Sequence, residues 1–327
     1  MLRLPRFELL SPRTVRDAAA MLRDSPGSML VAGGTDLFPK MKRRQQQPPI
    51  VISLGRIPDL RGVARADDGL HIRAMTTLTA LASDASLDGP YRGLREAAAS
   101  ISTPQLRNAG TIGGNLCLDT RCNWYDQSLF WRQAMGYCMK THADVVCRVA
   151  TSSPRCLATA SADTVPALLA LDARVHVTGP DGDREIALAD MYREDGIHYM
   201  TLARHDVVTG VSVPDRAGWV STYVKLRDRL AFDFPIAGVA IALKLNGGVV
   251  EDARIAVTGL GSRASLVPAA AESLTGKTLD EATVSAAAAA TQRASRPMDN
   301  TAGTMAARRI AVKVMTERAL RQLTTRN

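Results

Sequence analysis

A chain of 327 residues, 46% hydrophobic and 22% charged, has the composition of a soluble globular protein and the length of about two domains. Its net charge of +9 is scattered, and the densest basic run, Lys40-Met-Lys-Arg-Arg44, leads into Gln45-Gln-Gln-Pro-Pro49 without interleaved aromatics, so it reads as a solvated loop and nucleic acid is not expected as a partner. Pro5, Arg6 and Glu8 interrupt any apolar leader and no apolar run is long enough to span a bilayer, which gives a cytoplasmic expectation with no membrane contact.

Residues 13–24 carry apolar side chains at 15, 18, 19 and 22, one face of a helix that Pro26-Gly27 ends. A short buried strand, Ser28–Ala32, then runs into Gly33-Gly34-Thr35-Asp36 and a helix start, a strand–turn–helix unit without GxGxxG spacing. Strands are expected at 50–54 and 70–77, a helix start bearing Leu78 and Leu81 at 77–83, and a helix at 91–101 that stops before Pro104. A second glycine turn follows, Gly110-Thr111-Ile112-Gly113-Gly114-Asn115. Two such turns, each with a polar cap (Asp36, Asn115), suit a phosphate, because glycines let backbone N–H groups approach it closely.

Residues 117–156 lose periodicity while Trp124, Tyr125, Phe130, Trp131 and Tyr137 crowd together. Cys122, Cys138, Cys147 and Cys156 fall in the same stretch, and in a chain without export signals such a set favours metal or redox chemistry over disulfides. A metal holding four points would order a segment that backbone propensity does not, and the thiolates suit either an iron–sulfur cluster or zinc. Cys117 reads as a packing residue, and His142, between two of the cysteines, as a candidate substitute ligand. The other histidines are isolated and read as surface residues.

Regular structure returns at Ser161–Asp172, where Asp163 or Thr164 can cap a helix with Pro166 in its first turn. Strands are expected at 174–178 and 206–213, with a domain boundary at 214–218. Strands at 219–227, 238–245 and 249–260, the last two joined by an Asn246-Gly247 turn, form a meander. Helices at 267–274, 279–294 and 304–323 cover it, the last presenting Ile310, Val314 and Leu320. No hydrolase elbow, P-loop, zinc-finger spacing or repeat is present.

In combination, Val31-Ala-Gly-Gly-Thr-Asp36, Gly110–Asn115, Ser161–Asp172 and Tyr223-Val-Lys-Leu-Arg227 resemble the FAD-binding subunit of the xanthine dehydrogenase and carbon monoxide dehydrogenase family. The resemblance implies an α+β fold: a vanillyl-alcohol-oxidase-type FAD-binding domain (1–216) of two α/β subdomains, 1–55 and 56–216, followed by a C-terminal α+β domain, 217–327. It implies that FAD is held by Met29, Leu30, Val31 and Ala32 with the first turn (Gly33, Gly34, Thr35, Asp36), by Gly110–Asn115, and by Asp163, with Ile101 against the isoalloxazine and Lys225 near the flavin ring. Residues 117–156 exceed the family pattern, and this insertion resembles that of the 4-hydroxybenzoyl-CoA reductase branch. That likeness implies a 4Fe-4S cluster on Cys122, Cys138, Cys147 and Cys156 and no catalytic residue on this chain; Asn123, next to Cys122, is expected to touch flavin or cluster. It also implies a dimer of heterotrimers with a molybdenum-cofactor large subunit and a small subunit carrying two 2Fe-2S clusters, fed by reduced ferredoxin. The alternative is the flavin subunit of a carbon monoxide, xanthine or aldehyde dehydrogenase-like complex, and a zinc-stapled scaffold is the rival outside redox chemistry.

Overall fold

The first strands form a small parallel sheet, and parallel strands need helical crossovers. Strand β1 (Glu8–Leu10) leads through helix α1 (Val15–Asp24) to β2 (Met29–Val31), and α2 (Leu37–Lys42) leads on to β3 (Ile50–Ser53), giving the order β1-β3-β2. Thr14 caps α1, its hydroxyl accepting the Asp17 N–H at 3.1 Å, and Ala18, Ala19 and Leu22 pack with Ile52 and Leu54. The structure is a computed structural model that describes residues 2–325, so positions 1, 326 and 327 at the ends of the expected domains lie outside the described residues.

The second sheet is antiparallel throughout. Its first two strands, β4 (Val63–Ala66) and β5 (Gly69–Arg73), precede a helical excursion. The excursion comprises α3 (Leu78–Ser83), α4 (Arg92–Ser100), α5 (Pro104–Ala109), α6 (Ile112–Leu116), α7 (Leu129–Ala134) and α8 (Thr164–Ala170). Strands β6 (Arg174–Gly179), β7 (Gly182–Ala187) and β8 (Val207–Pro214) then complete the order β4-β5-β8-β6-β7. Helix α8 is buried along its whole length, packed against α4, α6 and strands of the third sheet.

The third sheet is the expected meander: β9 (Trp219–Leu226), β10 (Ala237–Asn246), β11 (Val249–Thr258) and the short β12 (Ser265–Leu266), in the order β12-β11-β10-β9. Helices α9 (Pro268–Glu272), α10 (Glu281–Ala294) and α11 (Met305–Thr324) cover it. Among the described residues, no helix is long and apolar enough to cross a membrane.

Several elements depart from the sequence reading. Helix α4 ends before Pro104 as expected, but Pro104 itself starts a further helix, α5, because proline fits a first helical turn and Thr103 caps it, accepting the Leu106 N–H at 3.3 Å. Strands β4, β7 and β12 and helix α7 have too little periodicity to be read. In α11, Ile310 and Val314 are exposed while Arg308, Val312, Met315, Ala319 and Leu323 form the buried stripe. The stripe was obscured by its polar member. Arg308 is buried because its guanidinium donates to Met298 O at 2.7 Å, Ile236 O at 3.2 Å and Asn300 Oδ1 at 3.1 Å.

Candidate functional site

The two glycine turns lie against each other. A Cβ on Gly33 would overlap the carbonyl oxygen of Ala109, immediately before the second turn, so glycine at 33 permits this contact. Thr111 caps α6, accepting the Gly114 N–H at 3.1 Å, a bond worth about 1 kcal/mol in comparable caps. Neither Asp36 nor Asn115 is a side-chain cap, contrary to expectation. Asp36 instead pairs with Arg121 and with Lys40, the latter at 3.4 Å, and Asn115 Oδ1 accepts the Thr164 hydroxyl at 2.6 Å, which fixes α8 against α6.

A cleft of about 840 Å³ runs along both turns, within the roughly 300–1,000 Å³ range of small-molecule sites. Every residue of Met29–Asp36 lines it, as do Ile101, Asp163 and all of Gly110–Asn115 except Ile112, which is buried beneath the turn. Cys117 also lines it, and burial pushes its thiol up to about 12. At the mouth stand Phe232, Asp233 and Phe234 from the loop between β9 and β10. Here Ser102 and Phe232 both hold positive φ angles, 46° and 75°, and the Phe232 N–H donates to Ser102 O at 3.0 Å.

Asp163 occupies the N-cap position of α8 but makes no capping bond. Its carboxylate accepts the Tyr223 hydroxyl at 2.7 Å and the Lys225 ammonium at 3.0 Å. Burial raises the Asp163 pKa and lowers that of Lys225, and their mutual attraction opposes both shifts. Lys225 does not line the cleft, in contrast to its expected approach to the ring. It stands behind Asp163, donating also to Ser100 O at 3.2 Å, and so holds the segment that carries Ile101.

Polar residues that the sequence did not mark close the other end. Lys40, read as part of a solvated loop, has a side chain 2% exposed and pairs with Asp119. Asp119 also accepts Lys140 at 2.7 Å; burial pushes its carboxyl up, but Lys140 and Lys40 outweigh this and bring it down to about 2. Arg121 pairs with Asp36 and, at 3.3 Å, with Asp126, while its guanidinium lies 4.2 Å from the Phe234 ring centroid.

Beyond this network Cys122, Cys138, Cys147 and Cys156 all line one small void, with Trp124, Met139 and Val149 around it. Burial pushes Cys122 up to about 12 and Cys156 up to about 11. The backbone N–H groups of Trp124 and Tyr125 pull the Cys122 thiol down and that of Ala158 the Cys156 thiol, against the larger effect of burial. Gly196 touches the void's edge, where a Cβ would stand 2.7 Å from Cys156 Sγ and 2.7 Å from Ala158 N. No signal in the sequence singles out this glycine. Asn123 lines neither the cleft nor the void; it is exposed and its N–H donates to Asn300 O at 2.8 Å. His142 stacks on Tyr137 at 3.6 Å and lines the cleft, not the thiol void.

The FAD binding domain in molybdopterin dehydrogenase, as a family profile, matches residues 5–216, and the CO dehydrogenase flavoprotein C-terminal domain matches residues 221–323. This chain belongs to the FAD-binding subunit family of the xanthine and carbon monoxide dehydrogenases. It is 30% identical over 321 residues to the carbon monoxide dehydrogenase medium chain of Hydrogenophaga pseudoflava, covering 97% of this chain and 96% of that one. It is also 30% identical over 270 residues to the aldehyde oxidoreductase FAD-binding subunit of Escherichia coli K12, covering 79% and 82% of the two chains. The solved carbon monoxide dehydrogenase of Hydrogenophaga pseudoflava that lacks the Mo-pyranopterin moiety superposes with a TM-score of 0.80 at 28% identity, over 98% of this chain and 97% of that chain.

The residues present fit the family's cofactor. The cleft runs along two closely packed turns, and it offers the backbone of the first turn with the Thr35, Thr111 and Asn115 side chains for a phosphate and apolar Ile101, Phe232 and Phe234 for a ring; the N–H groups of Gly110 and Ile112–Asn115 are engaged within the chain.

Proposed function

We propose that this chain is the electron-transferring FAD and 4Fe-4S subunit of a molybdenum complex of the 4-hydroxybenzoyl-CoA reductase type. The observation that carries the reading is the convergence of Cys122, Cys138, Cys147 and Cys156 on one void next to the cleft. Four cysteines are the usual ligand set of such a cluster, and N–H groups directed at ligand sulfurs are a usual means of tuning it.

In this reading the backbone of Met29–Asp36 holds the FAD diphosphate, Gly110–Asn115, whose N–H groups are mostly taken up within the chain, forms the facing wall with the Thr111 and Asn115 side chains, Ile101 packs on the isoalloxazine, and Asp163, fixed by Tyr223 and Lys225, orients the cofactor. Ile112 and Lys225 support these contacts from behind. A bound flavin supplies exchange between one-electron and two-electron chemistry. Reductive dehydroxylation of 4-hydroxybenzoyl-CoA takes up two electrons and two protons and releases water, so two one-electron donors such as reduced ferredoxin balance it. The substrate is handled on the molybdenum subunit, with a small 2Fe-2S subunit between, in a dimer of heterotrimers. The domain division at 1–216 and 217–327, with 117–156 as the cluster-bearing insertion, is part of the same proposal.

The similarity to carbon monoxide dehydrogenase and aldehyde oxidoreductase chains favours a second reading, a flavin subunit of a hydroxylase whose electrons flow outward. Iron, acid-labile sulfide and flavin measured on the purified full-length chain separate the two. About four irons per flavin support the first reading. A yellow chain with flavin and no iron selects the second.

A further inference from the structure

Two residues, Tyr125 and Lys140, line both the FAD cleft and the thiol void and so form the partition between them. Lys140 Nζ donates to Asp119 Oδ1 at 2.7 Å, Thr120 Oγ1 at 2.6 Å and Gly196 O at 2.5 Å, so all three of its protons are engaged and its charge is fixed in place. It lies 4.9 Å from the Tyr125 ring centroid and 5.6 Å from that of Tyr199, with its side chain 7% exposed. Lys40 Nζ lies 5.6 Å from the Tyr125 ring, and it shares Asp119 with Lys140.

We infer that Lys140 is a positioning charge that raises the reduction potential of the centre held by the four cysteines, and that Asp119 sets how much of that charge the centre feels. This rests on the cluster reading above. Reduction adds one electron to a centre already made anionic by thiolates. A cation beside it, shielded from water, stabilises the reduced form more than the oxidised form. Asp119 opposes this, being a carboxylate on the same ammonium. The two residues therefore act on the potential with opposite signs. A purely structural role predicts no such opposition, because loss of either partner would loosen the same hydrogen-bond network in the same way.

The test is a dithionite titration of the purified full-length chain, following the paramagnetic signal of the reduced centre, with iron and flavin content measured alongside. Lys140→Gln should lower the midpoint potential, Lys140→Arg should keep it near the wild-type value, and Asp119→Asn should raise it. If Lys140→Gln alone loses its iron, the sign of the Asp119→Asn shift decides. Midpoints unchanged in both charge-removing variants, or moved in the same direction, overturn the inference. So does loss of iron from all three variants, which would make the network a scaffold only. A wild-type chain without iron or labile sulfide removes the cluster reading, and this inference falls with it.

Discussion

Lys225 Nζ meets Asp163 Oδ2 at 3.0 Å with side chains only 4% and 3% exposed, so each charge depends on the other for its compensation. Removing one partner of a buried pair leaves an unpaired charge and costs about 3–5 kcal/mol. Lys225→Met should destabilise the chain by that order and weaken flavin retention, while the double variant Lys225→Met with Asp163→Asn should cost less than the sum. Urea unfolding of the full cycle, with flavin content, checks both. Additive losses would show that the pair is not coupled.

Asp119 gives the acid limb of stability a definite sign. Its carboxyl sits at about 2 in the folded chain against an ordinary 3.8, so its contribution is complete above the ordinary value and disappears as pH falls through about 2. The shift corresponds to about 2 kcal/mol. Unfolding free energies between pH 5 and 2 should therefore fall less steeply for Asp119→Asn than for the wild type. An Asp119→Asn profile parallel to the wild type would contradict the assignment.

Gly33 is where the two turns touch. Gly33→Ala places a methyl against Ala109 O and must part them, and we expect FAD affinity to fall on the order of tenfold or more, about 1.4 kcal/mol for each tenfold. Fluorescence titration of the apoprotein with FAD measures it. Unchanged affinity would mean that the contact does not shape the cleft.

Gly196→Ala acts at the other hollow. The added methyl meets Cys156 Sγ and Ala158 N, so Cys156 must shift, and iron content should drop while the flavin absorbance persists. Equal loss of both cofactors would point to general unfolding, which near-ultraviolet circular dichroism would reveal.

What could be read from the sequence was local. The 15, 18, 19, 22 face, the Asn246-Gly247 turn and the two glycine turns announce themselves within a few residues, because their causes are periodicity and backbone freedom. The four cysteines could be grouped by proximity along the chain. The charged network could not, since Lys40 is paired with a carboxylate 79 positions away and a lysine in a basic run looks like a solvated one. Asn123 adjoins Cys122 in sequence, yet in the turn closed by Tyr125 and Asp126 N–H on Cys122 O it is exposed while Cys122 is buried. Lys225 was placed at the ring by likeness; the intervening carboxylate of Asp163 is visible only once β9 and α8 are packed together.

The guanidinium of Arg121 bears on the order of events during biogenesis. It joins Asp36 from the first glycine turn, Asp126 from the cysteine segment and the Phe234 ring from the chain beyond residue 218, partners that emerge from the ribosome far apart. Contacts of such long sequence separation close late. Cofactor capture is thereby tied to a nearly finished polypeptide, and a nascent or truncated chain ending at β9 lacks the Phe232–Phe234 segment that stands at the mouth.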